Sequence, residues 1–194
     1  LVLSQPIIST LFERGAFSPT AVDATAQTLF YYAVGLPAFI IIKVLQPSFF
    51  ARYDTTTPVK VASYMVLTNL VLNIILMQFL AHAGLALATS ITAWLNAAIL
   101  TFILKQKGLH KHSKKTYVKL ARTFMASVFM GIGLFGLIEF SADSIFSLKS
   151  PNILSLATLI LFGLFLYVIP IFLFRVIRLS EVHQEIKSWI KNDQ

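Results

Sequence analysis

Four polar side chains that could bind an ion or a charged ligand stand inside long apolar runs: Lys43, Asn69, Asn73 and Thr89. Branched aliphatic residues precede and follow Lys43. Asn69 and Asn73 are four residues apart, so both carboxamides lie on one face of a helix. A charge at the centre of a bilayer costs at least about 2.5–3.5 kcal/mol on insertion scales, so intramembrane polar groups commonly line cavities or pair across helices.

Lys43 permits two interpretations. In one, its aliphatic stem lets the ammonium reach the inner membrane surface. In the other, Lys43 faces a water-filled cavity and meets an anionic headgroup or a carboxylate, with Gln46 and Arg52 as further candidate substrate-binding residues. Arg52 follows nine residues later, which places Lys43 roughly 13 Å deeper along a helix. Pro37 and Pro47 each remove a helix hydrogen bond, so we expect this helix to bend toward or around a cavity.

Asn69, Asn73 and Thr89 also permit two interpretations. Polar side chains between packed membrane helices hydrogen-bond across the interface, at about 0.6 kcal/mol per bond on average. Thr92 and Asn96, on the same face as Thr89, fit such a polar seam. Alternatively, the carboxamide oxygens and the Thr89 hydroxyl contact a cation or a substrate, because hard cations prefer oxygen ligands. The spacing leaves both interpretations open.

Catalytic and metal-binding residues are not predicted. The chain has no cysteine and four scattered histidines without ligand spacing. The sequence shows no nucleophile beside a base, no Gly-rich phosphate loop and no paired carboxylates in a shared site. We therefore predict that the protein is not an enzyme.

The composition excludes a water-soluble domain, since 57% of residues are hydrophobic and 12% are charged. A helix needs about 20 apolar residues to cross a bilayer core of about 30 Å. Five runs approach or exceed this length: Thr28–Phe50, Val59–Leu80, Gly84–Leu104, Phe124–Phe140 and Ile153–Phe174. We expect the fourth either to borrow residues from Tyr117–Thr123 or to tilt little in the bilayer. Leu1–Phe12 is expected to be the tail of a sixth helix. The predicted fold is an all-α, polytopic transmembrane helical bundle.

Lysine and arginine positions predict the orientation, because short cytoplasmic loops are rich in both. Thirteen of the sixteen fall in alternate loops, which places Arg52–Lys60, Lys105–Arg122 and the C-terminus in the cytoplasm. Arg14 and Lys149 lie on the other side, and Lys43 lies inside a span. Three segments then face outward: Glu13–Gln27, Ala81–Ala83 and Ser141–Asn152. The net charge of +8 is thus explained by topology, and no nucleic-acid partner is predicted.

The chain divides into five predicted parts. They are the helix tail (1–12), three transmembrane helices (13–106), a basic cytoplasmic loop (107–122), two further transmembrane helices (123–176) and a cytoplasmic tail (177–194). Ser180 can N-cap an amphipathic helix in this tail, although a solvated tail is the alternative. The face of that helix would consist of Val182, Ile186, Trp189 and Ile190. The abrupt apolar start at Leu1 leads us to expect a piece of a larger protein.

The stretch from Leu11 to about Leu104 resembles the lipid II flippase (MurJ, MviN) family. Its most specific element is Ala51-Arg52-Tyr53-Asp54-Thr55-Thr56-Thr57-Pro58 in the predicted cytoplasmic turn. Further similar segments are Leu11–Phe17, Tyr32–Phe39, Lys43–Phe50, His82–Ser90 and Ala93–Ala97. The resemblance implies part of a 14-helix transporter of the multidrug/oligosaccharidyl-lipid/polysaccharide exporter superfamily. Residues 13–106 would then be the second half of the C-terminal six-helix bundle.

The resemblance also implies a function, a substrate and partners. Members of the family move lipid II, the undecaprenyl-linked peptidoglycan precursor, across the bacterial inner membrane by alternating access. The arginine-rich cavity that binds the headgroup would belong to the remainder of the same polypeptide, while a groove between the last two helices takes the polyprenyl tail. No organic cofactor is implied, only a sodium ion, for which Asn69, Asn73 and Thr89 match, with Asn73 at a carboxylate position.

Two other functions compete with a flippase. Another exporter of the same superfamily, carrying drugs or polysaccharide lipids, has the same helices but a differently charged cavity. A membrane-anchored scaffold needs no cavity, and Lys43, the helix prolines and the asparagines argue against it.

Overall fold

The computed structural model describes residues 1–13, 17–108, 114–140 and 153–173, and all its regular elements there are helices. They are α1 (Ser4–Phe12), α2 (Pro19–Phe50), α3 (Thr56–Leu80), α4 (His82–Gln106), α5 (Lys114–Phe140) and α6 (Ile153–Leu173). Each helix from α2 to α6 contains a segment long and apolar enough to cross a membrane. The predicted all-α membrane fold is confirmed.

Helix α2 begins at Pro19, nine residues before the apolar run at Thr28. Ser18 caps this start, because its hydroxyl accepts the N–H of Ala21 at 3.3 Å, and proline is well suited to the first helical position. At 1.5 Å per residue the 32-residue helix is about 48 Å long, more than the hydrocarbon core. Hydropathy located the span and the end of the helix at Phe50 but not its start.

Helix α5 begins at Lys114, ten residues before the apolar run at Phe124. The membrane-crossing part covers Val118–Phe140, so the fourth span does take residues from the preceding segment, as predicted. The basic residues Arg14 and Lys149 and the predicted tail helix at residues 180–194 lie outside the described residues.

The helices form two compact units, one with α1–α4 and one with α5 and α6. In the first unit α4 is central: α2 and α3 both pack on it and barely touch each other. Small residues make this possible, since α4 buries five of its six alanines and Gly84. The main core of this unit joins Phe49, Val61 and Leu100, together with neighbouring apolar residues.

The turn between α2 and α3 is fixed from both sides. The N–H of Asp54 bonds to the carbonyl of Phe49 at 3.1 Å and that of Tyr53 to Phe50 at 2.9 Å, the two bonds of a Schellman motif. The left-handed position of this motif is occupied by Tyr53, at φ 57°. The carboxylate of Asp54 then caps α3 by accepting the N–H of Thr57 at 3.1 Å.

A single residue, Ala81, joins α3 to α4 and has a φ of 46°. A Cβ atom on Gly84 would collide with the carbonyl of Leu76, so glycine at this position permits the close approach of the two helices.

In the second unit α5 and α6 also approach through glycines. Leu134 lies over Gly163, and Leu166 lies over Gly133. Both glycines thus accept a leucine from the opposite helix, which packs the pair without polar groups at these positions.

Candidate functional site

Lys43 lies on the face of α2 that is turned away from α4. The face of α2 that packs against α4 consists instead of Ala38, Ile42 and Leu45, which are buried. The side chain of Lys43 is exposed and, among the described residues, has no hydrogen-bond or salt-bridge partner. Because no described group binds it, the Lys43 ammonium is available to a ligand. The backbone carbonyl of Lys43 also lacks its usual helix partner, since Pro47 has no N–H.

Gln46 lies one turn after Lys43 and is half-buried, whereas Arg52 is exposed in the turn after α2. No hydrogen bond joins these three side chains within the described residues. The structure thus places Lys43 and Gln46 on adjacent turns of one helix and Arg52 at its end, without assembling them into a single site.

Asn69 and Asn73 form a polar relay between α3 and α4. The Asn73 amide donates to Asn69 Oδ1 at 2.8 Å, and the Asn69 amide donates to Thr92 Oγ1 at 3.0 Å. The Thr92 hydroxyl in turn donates to the carbonyls of Ala88 and Thr89, each at 2.9 Å. The structure therefore brings the two asparagines to Thr92, which fits the interhelical interpretation.

Thr89 does not join this relay through its side chain, because its hydroxyl donates to the carbonyl of Leu85 at 2.9 Å. One acceptor of the relay is unused: Asn73 Oδ1 is buried and has no hydrogen-bond partner among the described residues, as is also true of Asn96 Oδ1. The described residues around Asn69 thus offer one free buried oxygen and no carboxylate, too few for a sodium ion by themselves.

Helices α2 and α4 are joined by two hydrogen bonds that the sequence did not reveal. Ser90 Oγ donates to the carbonyl of Tyr31 at 2.5 Å, and Trp94 Nε1 donates to that of Val34 at 3.1 Å. Ser90 also fits against Gly35, where a Cβ atom would lie 2.5 Å from its hydroxyl. The spacing of Ser90 and Trp94, four residues on one helix face, was the available signal.

Asp54 was also missed as a site residue. Its carboxylate accepts from the Thr57 N–H and hydroxyl and from the Thr56 hydroxyl, and it pairs with Lys107 at the end of α4. The Lys107 ammonium lies 5.8 Å from the centre of the Phe49 ring, a cation–π distance. The bond from Lys107, followed by those from Thr57, holds the pKa of Asp54 well below its usual range.

An open groove of about 520 Å³ lies on the unit formed by α5 and α6. Its lining is almost wholly apolar: Phe124, Met125, Val128, Phe129, Ile132, Ile169 and Pro170. Such a surface offers dispersion contacts and no hydrogen-bonding groups of note, which suits a hydrocarbon chain.

Comparisons with known proteins place these features in a family. The family model described as lipid II flippase MurJ matches residues 1–156. A probable lipid II flippase MurJ of Rhizobium meliloti is 37% identical over 84% of this chain and 30% of its own length.

Two further relatives bear the same name. The protein of Vibrio cholerae is 40% identical over 67% of this chain and 25% of its own length. That of Rickettsia prowazekii is 42% identical over 57% of the chain and 22% of its own length. The chain thus spans less than a third of the length of these relatives. A chain matched over four-fifths of its residues by one family model belongs to that family, the lipid II flippase MurJ family.

Proposed function

We propose that this chain is the C-terminal part of a lipid II flippase, which carries the lipid-linked peptidoglycan precursor across the bacterial inner membrane by alternating access. The observation that carries the proposal is the match of the MurJ family model to residues 1–156. The same match favours a flippase over another exporter of the superfamily. Three relatives named as probable lipid II flippases support it.

The contribution of α2 to transport would be electrostatic. Lys43 presents an ammonium without a partner in the described part of the chain, on the side of α2 away from α4, with Gln46 one turn further along. An ammonium in a water-filled cavity attracts the diphosphate of a lipid-linked precursor, and a carboxamide can bond to its sugar hydroxyls. Arg52 would act at the cytoplasmic end of the same helix.

The groove on α5 and α6 would hold the hydrocarbon tail of the substrate. Its lining from Phe124 to Ile132 on one helix and Ile169 and Pro170 on the other presents no charge to the lipid. A tail held there would remain in an apolar environment while the headgroup crosses, so the protein need not desolvate the tail. Transport of this kind breaks no covalent bond, and no catalytic residue is proposed.

The orientation is part of the proposal. We place the turn at Arg52–Lys60, the loop near Lys107 and the C-terminus in the cytoplasm, since these carry most of the basic residues. The substrate would then enter from the side of Arg52 and leave from the side of Ala81.

We also propose a sodium contact at Asn73. The free buried Asn73 Oδ1 could bind a cation only together with oxygens from the remainder of the polypeptide.

The test uses the full-length protein in cells depleted of their own flippase and, purified, in vesicles that contain labelled lipid II. We expect Lys43→Ala to lower translocation at least tenfold and to fail in complementation at normal abundance, while Lys43→Arg retains most activity. Normal translocation by Lys43→Ala would show that Lys43 does not bind substrate in the cavity. It would favour the other interpretation, in which the ammonium reaches the inner membrane surface. A full-length wild-type protein that moves no lipid II would overturn the proposed function itself.

A further inference from the structure

Tyr53, in the turn between α2 and α3, is 96% exposed, more than any other large apolar side chain that the structure describes. Its backbone has a φ of 57°, in the left-handed region that glycine adopts at no steric cost. In the Schellman motif that ends α2, this position is usually glycine. An aromatic residue here adds strain and buries almost none of its ring within this chain.

The surrounding turn leaves Tyr53 little freedom to escape this conformation. On one side the Schellman bonds from Tyr53 and Asp54 close the end of α2. On the other, Asp54 caps α3 and pairs with Lys107 on α4. Local strain that persists in a well-held turn is a reason to look for a function of the strained side chain.

The groups around Tyr53 are basic and apolar. Arg52 and Lys60 are exposed, as are the apolar side chains of Phe50 at 49% and Val59 at 62%. Asp54 is the only acidic residue from position 51 to 60, and its carboxylate is occupied by Lys107 and the threonines. Arg52 directly precedes Tyr53 and Lys60 follows it by seven residues, and neither cation has an ion-pair partner among the described residues.

We infer that Tyr53, Arg52 and Lys60 form a contact surface for the anionic phosphate headgroups of membrane phospholipids. The turn joins two apolar spans, so it lies at the level where hydrocarbon gives way to headgroups. Tyrosine is enriched at that level because its ring is apolar and its hydroxyl is polar. Arginine and lysine beside it attract anionic lipids. This inference goes beyond the proposed transport and does not depend on it.

The test measures the thermal stability of the purified full-length protein in a neutral detergent. Phosphatidylglycerol is added in one arm and phosphatidylcholine in another, because a ligand that binds the folded state raises Tm. We expect phosphatidylglycerol to raise the Tm of the wild type by several degrees more than phosphatidylcholine does. Tyr53→Gly and the double variant Arg52→Gln, Lys60→Gln should each lose at least half of that difference.

Ala81→Gly is the matched control, since Ala81 is the other non-glycine residue with positive φ among the described residues. Both glycine variants relieve strain, so both should keep or raise the Tm without lipid, but only Tyr53→Gly should lose the response to phosphatidylglycerol. Tyr53→Asn, which also tolerates the left-handed region, should behave like Tyr53→Gly.

Three results would overturn the inference. The first is a full phosphatidylglycerol response in Tyr53→Gly. The second is a lower Tm of that variant without lipid, which would mean that the ring packs against another part of the protein. The third is an equal rise in Tm with soluble pyrophosphate that Tyr53→Gly also loses, which would show a site for a free anion at this turn instead of a lipid surface.

Discussion

The ammonium of Lys107 pairs with the carboxylate of Asp54, 53 residues earlier in the chain, and ties the end of α4 to the turn between α2 and α3. The same carboxylate caps α3 through Thr57. One side chain thus connects three helices at one end of the first unit.

Replacing Asp54 should therefore lower the stability of the full-length protein. Asp54→Ala removes both the cap and the ion pair, whereas Asp54→Asn keeps an oxygen that can accept the Thr57 N–H. We expect a lower Tm for both and a larger loss for alanine. Lys107→Gln, which removes only the ion pair, should resemble Asp54→Asn. Equal Tm values for the wild type and Asp54→Ala would contradict this role.

The contribution of Asp54 should also depend on pH. Its pKa is held below the value of about 3.9 that applies in the unfolded chain, so the stabilisation is complete above that pH. As the pH falls below about 4, the unfolded state takes up a proton that the folded state does not, and the stabilisation is lost. The difference in Tm between wild type and Asp54→Asn should be constant from pH 5 to 8 and shrink toward pH 3. A difference that changes most near pH 6.5 would point to another group.

Gly84 and Gly131 provide a matched pair of glycine substitutions in membrane helices. A Cβ atom on Gly84 meets the Leu76 carbonyl, whereas one on Gly131 meets nothing within 4 Å. Gly84→Ala should destabilise the protein by roughly 1–3 kcal/mol, the usual cost of overpacking. Gly131→Ala should be neutral or stabilising, because alanine favours the helix. Unfolding in mixed detergent micelles measures both, and similar effects would show that α3 and α4 are less close.

Substitution of Asn73 tests directly whether this residue binds sodium. If Asn73 Oδ1 helps to bind sodium, Asn73→Ala should abolish any rise in Tm that sodium gives over potassium. If Asn73 has no part in sodium binding, Asn73→Ala removes its bond to Asn69 on the same helix, and any loss of stability should be equal in the two salts. Asn96→Ala serves as the control, since its buried carboxamide oxygen lies outside the relay. If sodium still raises the Tm of Asn73→Ala, Asn69 and Asn73 serve helix packing and not sodium binding.

Reporter fusions to the full-length protein test the proposed orientation. A reporter fused after Lys114 should remain cytoplasmic, and one near Ser147 should be exported. The reason is the excess of lysine and arginine in the segment from Lys105 to Arg122. Exchanged signals would reverse the orientation of every span.

Apolar run length was enough to predict the helices but not how they contact one another. The runs at Val59 and Gly84 became α3 and α4: α3 begins three residues earlier and ends at the same residue, and α4 is longer by two residues at each end. The partner of Asn69 could not be predicted, because periodicity places Thr89 and Thr92 on one face of α4. Which of them meets α3 depends on the register between the helices, and here the tight turn at Ala81 sets it.

The contacts at the ends of helices followed from short patterns that hydropathy does not detect. Ser18 before Pro19, and Asp54 three residues before Thr57, are ordinary capping patterns and could have located the starts of α2 and α3. Lys107 could not have been matched to Asp54 from sequence, since seven lysines and arginines lie between positions 105 and 122. Only the packing of α4 against α2 determines that Lys107, among these basic residues, pairs with Asp54.

The central position of α4 has a consequence for biosynthesis. Helix α2 leaves the ribosome before α3 and α4, yet its buried face from Gly35 to Phe49 packs mainly on α4. Since the chain emerges at about 5–20 residues per second, α2 waits for several seconds in the lipid with that face uncovered. The one-residue turn at Ala81 then delivers α3 and α4 together as a hairpin. Assembly of this unit is therefore set by the arrival of α4, and a ribosome that stalls between α3 and α4 would leave α2 open to quality-control proteases of the membrane.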